Sequence, residues 1–227
     1  DAMSDIAALS ASFPKMVLVL FGMNGARVDT PLGAYQSMVY WTNLLAYFFA
    51  GFLGVYAVAR EEKFGTGEFL FSKPYTRTAI IRAKILASGT SLALFALVTG
   101  IMSYLCILLP LQGGHILGIH IATTIGMFLT QLVLFSVGLF LSGLVGNYKT
   151  ASLLTMLAVL IFYGISFVLD YYGITNYLNM FTPVRYFDVV SIAGTGLRPA
   201  YILLSALIIL SCCGLAGLLY KKRDLRI

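Results

Sequence analysis

Two histidines, three cysteines and one tryptophan are all that 227 residues hold of those types, and only 11% of the chain is charged. Each scarcity removes a class of protein. Cys106, Cys212 and Cys213 all sit in apolar runs, and neighbouring cysteines do not form an ordinary disulfide with each other, so no disulfide framework is available. Cys212 and Cys213 read as small packing residues. His115 and His120 stand five positions apart, a spacing that does not align two side chains on one helical face, and no cysteine cluster has metal spacing. A metal site is not expected. The hydrolase signatures H-E-x-x-H and G-x-S-x-G are missing as well. With 59% hydrophobic residues and a mean hydropathy of +0.91, the chain has too little polar surface for a water-soluble fold. Its net charge of +6 comes from basic clusters beside apolar runs, where anionic lipid and orientation rules account for them, so no nucleic-acid partner is expected.

What is present is a series of apolar segments long enough to span lipid. Ile6, Leu9 and Phe13 fall at helical spacing, Pro14 interrupts, and Met16 to Phe21 is too short to cross; segment 1–34 therefore reads as external and interfacial. Asp29-Thr30-Pro31 joins a capping residue to a proline at the first helical position, a strong helix start. Five spans follow, at about 35–59, 85–109, 119–145, 151–169 and 200–220. Pro110 ends the second. Residues 171–199 form a polar, aromatic and re-entrant-like connection, and the tail is KKRDLRI. The expectation is an all-α, polytopic helical membrane protein built as a single transmembrane domain over 1–227.

Lysine and arginine set the orientation. Eleven of the fifteen lie in 60–84, 146–150 and 221–227, and four on the other side. The loop 60–84 and the C-terminus are thus expected in the cytoplasm of a multi-pass cell-membrane protein. Residue 1 falls outside on this count, so a sixth span is expected upstream of Asp1.

The loop 60–84 carries nine charged side chains between two apolar runs and must face water. The incoming helix ends at Lys63-Phe64, with Gly65 as a permissive C-terminal residue. Thr66 can cap a new helix, Glu68 lies in its first turn where the macrodipole favours an acid, and Pro74 stops it after Lys73. Thr76 is a second cap. A helix of two turns is unstable alone in water, since isolated helices need about 12–15 residues, so Phe69, Leu70 and Phe71 need a surface to dock on. A lipid headgroup layer or a soluble partner would serve.

Inside the spans the polar residues are few and ordered. Gln36, Tyr40, Asn43, Tyr47, Gly51 and Gly54 share one stripe of the first span, which should face other helices or a watery path rather than hydrocarbon. Gly138, Ser142 and Gly146 give the third span a small face for close approach. Gln131 should hydrogen-bond a neighbour, and Asp170 reads as a solvated acid at the membrane boundary. Residues 146–150 end like a phosphate loop but place Tyr148 where glycine is required, so no ATP site is expected there.

The pattern Glu62-x-x-Gly65-Thr66-x-Glu68-x-Leu70-x-Ser72-x-Pro74-x-Thr76-Arg77, with Thr182-Pro183-Val184-Arg185-Tyr186-Phe187-Asp188 and the closing Lys222-Arg223-Asp224, resembles the permease subunits of type-two ABC exporters. The resemblance covers nearly the whole chain from about Ser12. It implies six spans, of which five are visible here, and a coupling helix at Gly67 to Lys73 seated in a separate ABC ATPase. Glu62, Gly65, Thr66, Glu68, Phe69, Leu70, Phe71, Pro74 and Arg77 would form that ATPase-coupling site. It also implies short external helices within 171–199, and it places the stripe from Gln36 to Gly54 near the pathway or the interface with a second permease protomer, identical or homologous. No cofactor is expected on this chain; ATP and Mg would be bound by the partner ATPase. The alternatives are an integral membrane enzyme and a non-transporting membrane scaffold or sensor.

Overall fold

The computed structural model describes residues 12–23, 30–64, 75–109, 116–174 and 177–222. Among them every regular element is helical, and five helices are long and apolar enough to cross a membrane. The elements in order are α1 (Lys15–Leu20), α2 (Pro31–Phe64), α3 (Arg77–Ser103) continuing into a π-helical turn (Tyr104–Leu108), α4 (Leu117–Val145), α5 (Tyr148–Tyr172), 3-10 turns at Tyr177–Phe181 and Pro183–Arg185, α6 (Val189–Thr195) and α7 (Pro199–Lys222).

The caps are where local chemistry places them. Thr30 Oγ1 accepts from Gly33 N at 3.2 Å, and Thr76 Oγ1 from Ala79 N at 3.3 Å, so both expected helix starts form. Asn147 Oδ1 accepts from Lys149 N at 2.9 Å and opens α5 immediately after Gly146 closes α4 with φ +79°. Within the spans, hydroxyls of Thr42, Thr123, Thr124 and Thr155 return to the carbonyl four residues back. No water is needed to satisfy them in lipid.

α2 and α4 form the centre. They run parallel in fixed register: Tyr35 meets His120, Gly51 meets Gly138, and Ser142 Oγ donates to Val55 O at 3.3 Å. The glycines set the distance. A Cβ on Gly54 would stand closer than 3.0 Å to the Phe135 carbonyl oxygen, and one on Gly138 equally close to that of Gly51, so the two backbones are in direct contact. The small face of the third span therefore packs on α2, although Gly146 serves as its helix stop. α5 crosses α2 in the opposite sense, with Thr155 and Val159 against Gly51 and Tyr163 between Tyr40 and Tyr47. α3 closes the other side through Leu92 and Ala96, and α7 lies outermost, touching α4 with Ala216 near Gly143.

Two expectations are corrected. Gln131 is wholly buried, but among the described residues neither of its side-chain polar atoms has a hydrogen-bond partner. Its neighbours on the same helical face, Met127 and Phe135, are apolar and offer none. Asp170 is not a solvated acid: Arg185 Nη2 lies 2.8 Å from its Oδ1. The turn Pro183–Arg185 folds back over the end of α5 and delivers the guanidinium there.

Candidate functional site

At the bundle end that carries residues 177–195, the connection between α5 and α7 is built inward. Phe187 presses on Gly126, where a Cβ would overlap its ring. Tyr186 stacks on Tyr201 with centroids 5.0 Å apart and planes 2° from parallel, and its hydroxyl donates to the Met180 carbonyl. Asp188 caps α6, its Oδ2 accepting from Val190 N at 3.2 Å and Ser191 N at 3.4 Å. These contacts fix Arg185 and Asp188 on the inner side of the connection.

Between that connection, α2 and α5 lies a cavity of about 50 Å³. Gln36, Tyr40, Asn43 and Tyr47 form one wall, Tyr163, Ser166 and Asp170 the second, and Arg185 and Asp188 belong to the third. The α2 wall runs from Gln36 to Tyr47, eleven helical steps or about 16 Å along the axis. Tyr163 is the aromatic centre, 6.0 Å from Tyr40 with planes near perpendicular and 6.3 Å from Tyr47. Two carboxylates face one guanidinium here. Burial pushes the Asp188 carboxyl above its ordinary range, against the opposing pull of backbone N–H groups and Arg185. Among the described residues Asn43 Oδ1 and Arg185 Nη1 are buried without hydrogen-bond partners.

The structure thus divides the stripe expected on the first span. Gln36, Tyr40, Asn43 and Tyr47 line the cavity, whereas Gly51 lies against α4 and α5 and Gly54 against α4. Tyr163 and Ser166 escaped the sequence reading, although with Asp170 they repeat at steps of three and four on α5, the same signal that exposed the α2 stripe. His120 has both ring nitrogens engaged within the bundle: its Nδ1 lies 2.8 Å from Tyr35 Oη and its Nε2 3.1 Å from the Gly100 carbonyl, tying α2, α3 and α4 together. His115 lies outside the described residues. Among those residues no cluster suited to a metal occurs. Gly65, Thr66, Glu68, Phe69, Leu70, Phe71 and Pro74 of the expected coupling site also lie outside them, and the side chains of Glu62 and Arg77 are likewise not described.

The Asp170–Arg185 pair gives a direct test. The side chains are 30% and 15% exposed, so removing one partner strands a charge in a poorly hydrated place. Arg185→Ala is expected to lower stability by about 3 kcal/mol, and Asp170→Asn combined with Arg185→Gln to recover more than half of that. Thermal unfolding of the purified chain in detergent measures both. Equal losses in the single and double variants would show that the pair carries no coupling.

Five membrane-length helices define a multi-pass helical membrane protein, with a polar cavity between α2, α5 and the 183–189 connection. The chain belongs to the ABC-2 family transporter protein family, whose model matches residues 5–225. No curated protein and no solved structure matches it. The family makes the chain an ABC-2 type permease, the transmembrane component of an ABC transporter.

Proposed function

We propose that this chain is the export-coupled permease of a pair, driven by two separate ATPase subunits that bind ATP and Mg, and that it has no ATP site of its own. The family match supports the transport class. The observation that carries the mechanism is the cavity between α2, α5 and the 183–189 connection. Polar groups buried in a spanning bundle are expensive unless they serve a path or a ligand. In this reading the loop 60–84 and the C-terminus are cytoplasmic, 1–34 is external and interfacial, and 171–199 is an external re-entrant-like segment.

Closure of the ATPase pair would push on the crossbar at Gly67 to Lys73 and tilt α2 and α3, which flank it in the chain. The contacts of α2 with α4 are rigid because backbone meets backbone at Gly54 and Gly138. Motion is therefore passed on to the packing of α2 on α5, which is made of side chains and contains the cavity. Glu62, Thr66, Glu68, Phe69, Phe71 and Arg77 would hold the ATPase, and a second protomer would complete the pathway.

Expression with the neighbouring genes and pull-down in detergent tests the partner. An ATPase should co-purify, and reconstitution should give hydrolysis that depends on the permease; recovery of the chain without an ATPase would remove the main support. A second experiment reads the path. With Cys106, Cys212 and Cys213 replaced by alanine, Asn43→Cys should react with a water-soluble thiol reagent at a rate that changes at least threefold when the ATPase is trapped with ATP and vanadate. Labelling only by an apolar reagent from lipid, with no nucleotide dependence, would place Asn43 off the path.

A further inference from the structure

The groups facing the cavity do not balance. α2 contributes no charge, α5 contributes Asp170, and the connection contributes Arg185 and Asp188. Arg185 pairs with Asp170 at 2.8 Å and also acts on Asp188, whose Oδ2 accepts from N–H groups of α6, so two carboxylates share one guanidinium and one negative charge is in excess. An excess negative charge in a poorly hydrated cavity calls for a positive occupant. The rest of the wall says which kind. Tyr40 and Tyr47 stand 6.0 and 6.3 Å from the Tyr163 ring at inclinations of 89° and 40°, and ring faces attract weakly hydrated organic cations. A bare inorganic ion instead needs a tight shell of oxygens, as sites for hard cations show. The cavity, at about 50 Å³, is several times the roughly 10–15 Å³ that one water needs. It has room for an ammonium head with its first carbons. Asn43 Oδ1, buried and without a partner among the described residues, supplies an acceptor for an ammonium N–H.

We propose that the cavity between α2, α5 and the 183–189 connection binds the ammonium group of an organic amine, with Asp188 as counter-charge, Asn43 as acceptor and Tyr40, Tyr47 and Tyr163 as the aromatic walls. Resting on the permease reading, this names cationic amines as the substrate class engaged there.

Ethylammonium is the probe, and thermal unfolding of the purified full chain in detergent is the readout. Ethylammonium should raise the midpoint saturably, while sodium at equal ionic strength and ethanol, its neutral isostere, should not. Asp188→Asn keeps a side chain able to cap α6 but removes the charge, and should weaken half-saturation at least tenfold. Asn43→Ala should weaken it several-fold, which keeps the test decisive if Asp188→Asn fails to fold. In the native chain the effect should fade as pH falls, because a carboxyl raised by burial takes up its proton early and then competes with the cation. Equal stabilisation by sodium would overturn the amine in favour of an inorganic ion. No shift, or an undiminished shift in both variants, would overturn the site. The assay needs no ATPase, so it stands or falls separately from the pull-down that tests the permease reading.

Discussion

Gly138→Val is expected to yield protein that does not hold the native bundle, with a loss of at least about 3 kcal/mol, at or beyond the upper end of what overpacking usually costs. The reason is the partner of the missing side chain. A Cβ at Gly138 would meet the Gly51 carbonyl oxygen closer than 3.0 Å, and a backbone in the middle of a helix cannot swing aside as a flexible side chain can. Relief requires moving α2 away from α4, which would also separate Tyr35 from His120 and Ser142 from the Val55 carbonyl. Gly54→Ala tests the same seam from the other helix, where the obstacle is the Phe135 carbonyl oxygen. Gly214→Ala is the control: nothing lies within 4 Å of a Cβ there, and alanine favours the helix. Unfolding midpoints and the monodisperse fraction after detergent extraction separate the cases. A Gly138→Val protein as stable as the Gly214→Ala control would mean that the two backbones do not touch.

The contrast between seam and cavity explains what was legible in the chain. Spans could be located because lipid demands long apolar runs: four lie within helices that extend one to five residues further at one or both ends, while the helix of the second starts at Arg77, eight residues early, and stops at Leu108. Thr30 and Thr76 could be named as caps because that interaction is local. The α2 stripe was visible because glutamine, asparagine and tyrosine recurring on one helical face stand out against an apolar background. What faces that stripe was not, since it depends on tertiary placement. Arg185 and Asp188 are 15 and 18 positions from Asp170 in the chain, and only the fold of the 3-10 turns brings them to one cavity. Asp170 alone looks like a boundary residue; beside Arg185 it is half of an ion pair. Gln131 fails in the opposite direction: a buried amide suggests a partner, yet among the described residues its side chain has none, and whether another helix offers one depends on tertiary placement. The π-helical turn Tyr104–Leu108 was equally hidden, because one wider turn leaves the apolar pattern unchanged.

Phe69→Ala combined with Phe71→Ala is expected to give a membrane-inserted, folded permease that no longer holds an ATPase. These residues lie in 65–74, outside the described structure, so the argument is one of sequence chemistry. Thr66 and Pro74 limit the crossbar to Gly67 to Lys73, too short to be stable unless it docks. Burying one phenylalanine contributes about 1.5–3 kcal/mol, so losing two would weaken docking by roughly two to four powers of ten before any charge is considered. Glu68→Ala should have a smaller effect, because a carboxylate near a helix start contributes about 0.3–1 kcal/mol when exposed, and more only if it meets a basic group on the partner. The spans should remain intact, since α2 ends at Phe64 and α3 begins at Arg77. Circular dichroism and unfolding in detergent check that point; pull-down and substrate-stimulated ATP hydrolysis in vesicles check the coupling. An ATPase retained at normal stoichiometry with normal stimulation would leave the crossbar as a loop resting in lipid headgroups, and would require the ATPase to engage the cytoplasmic face elsewhere.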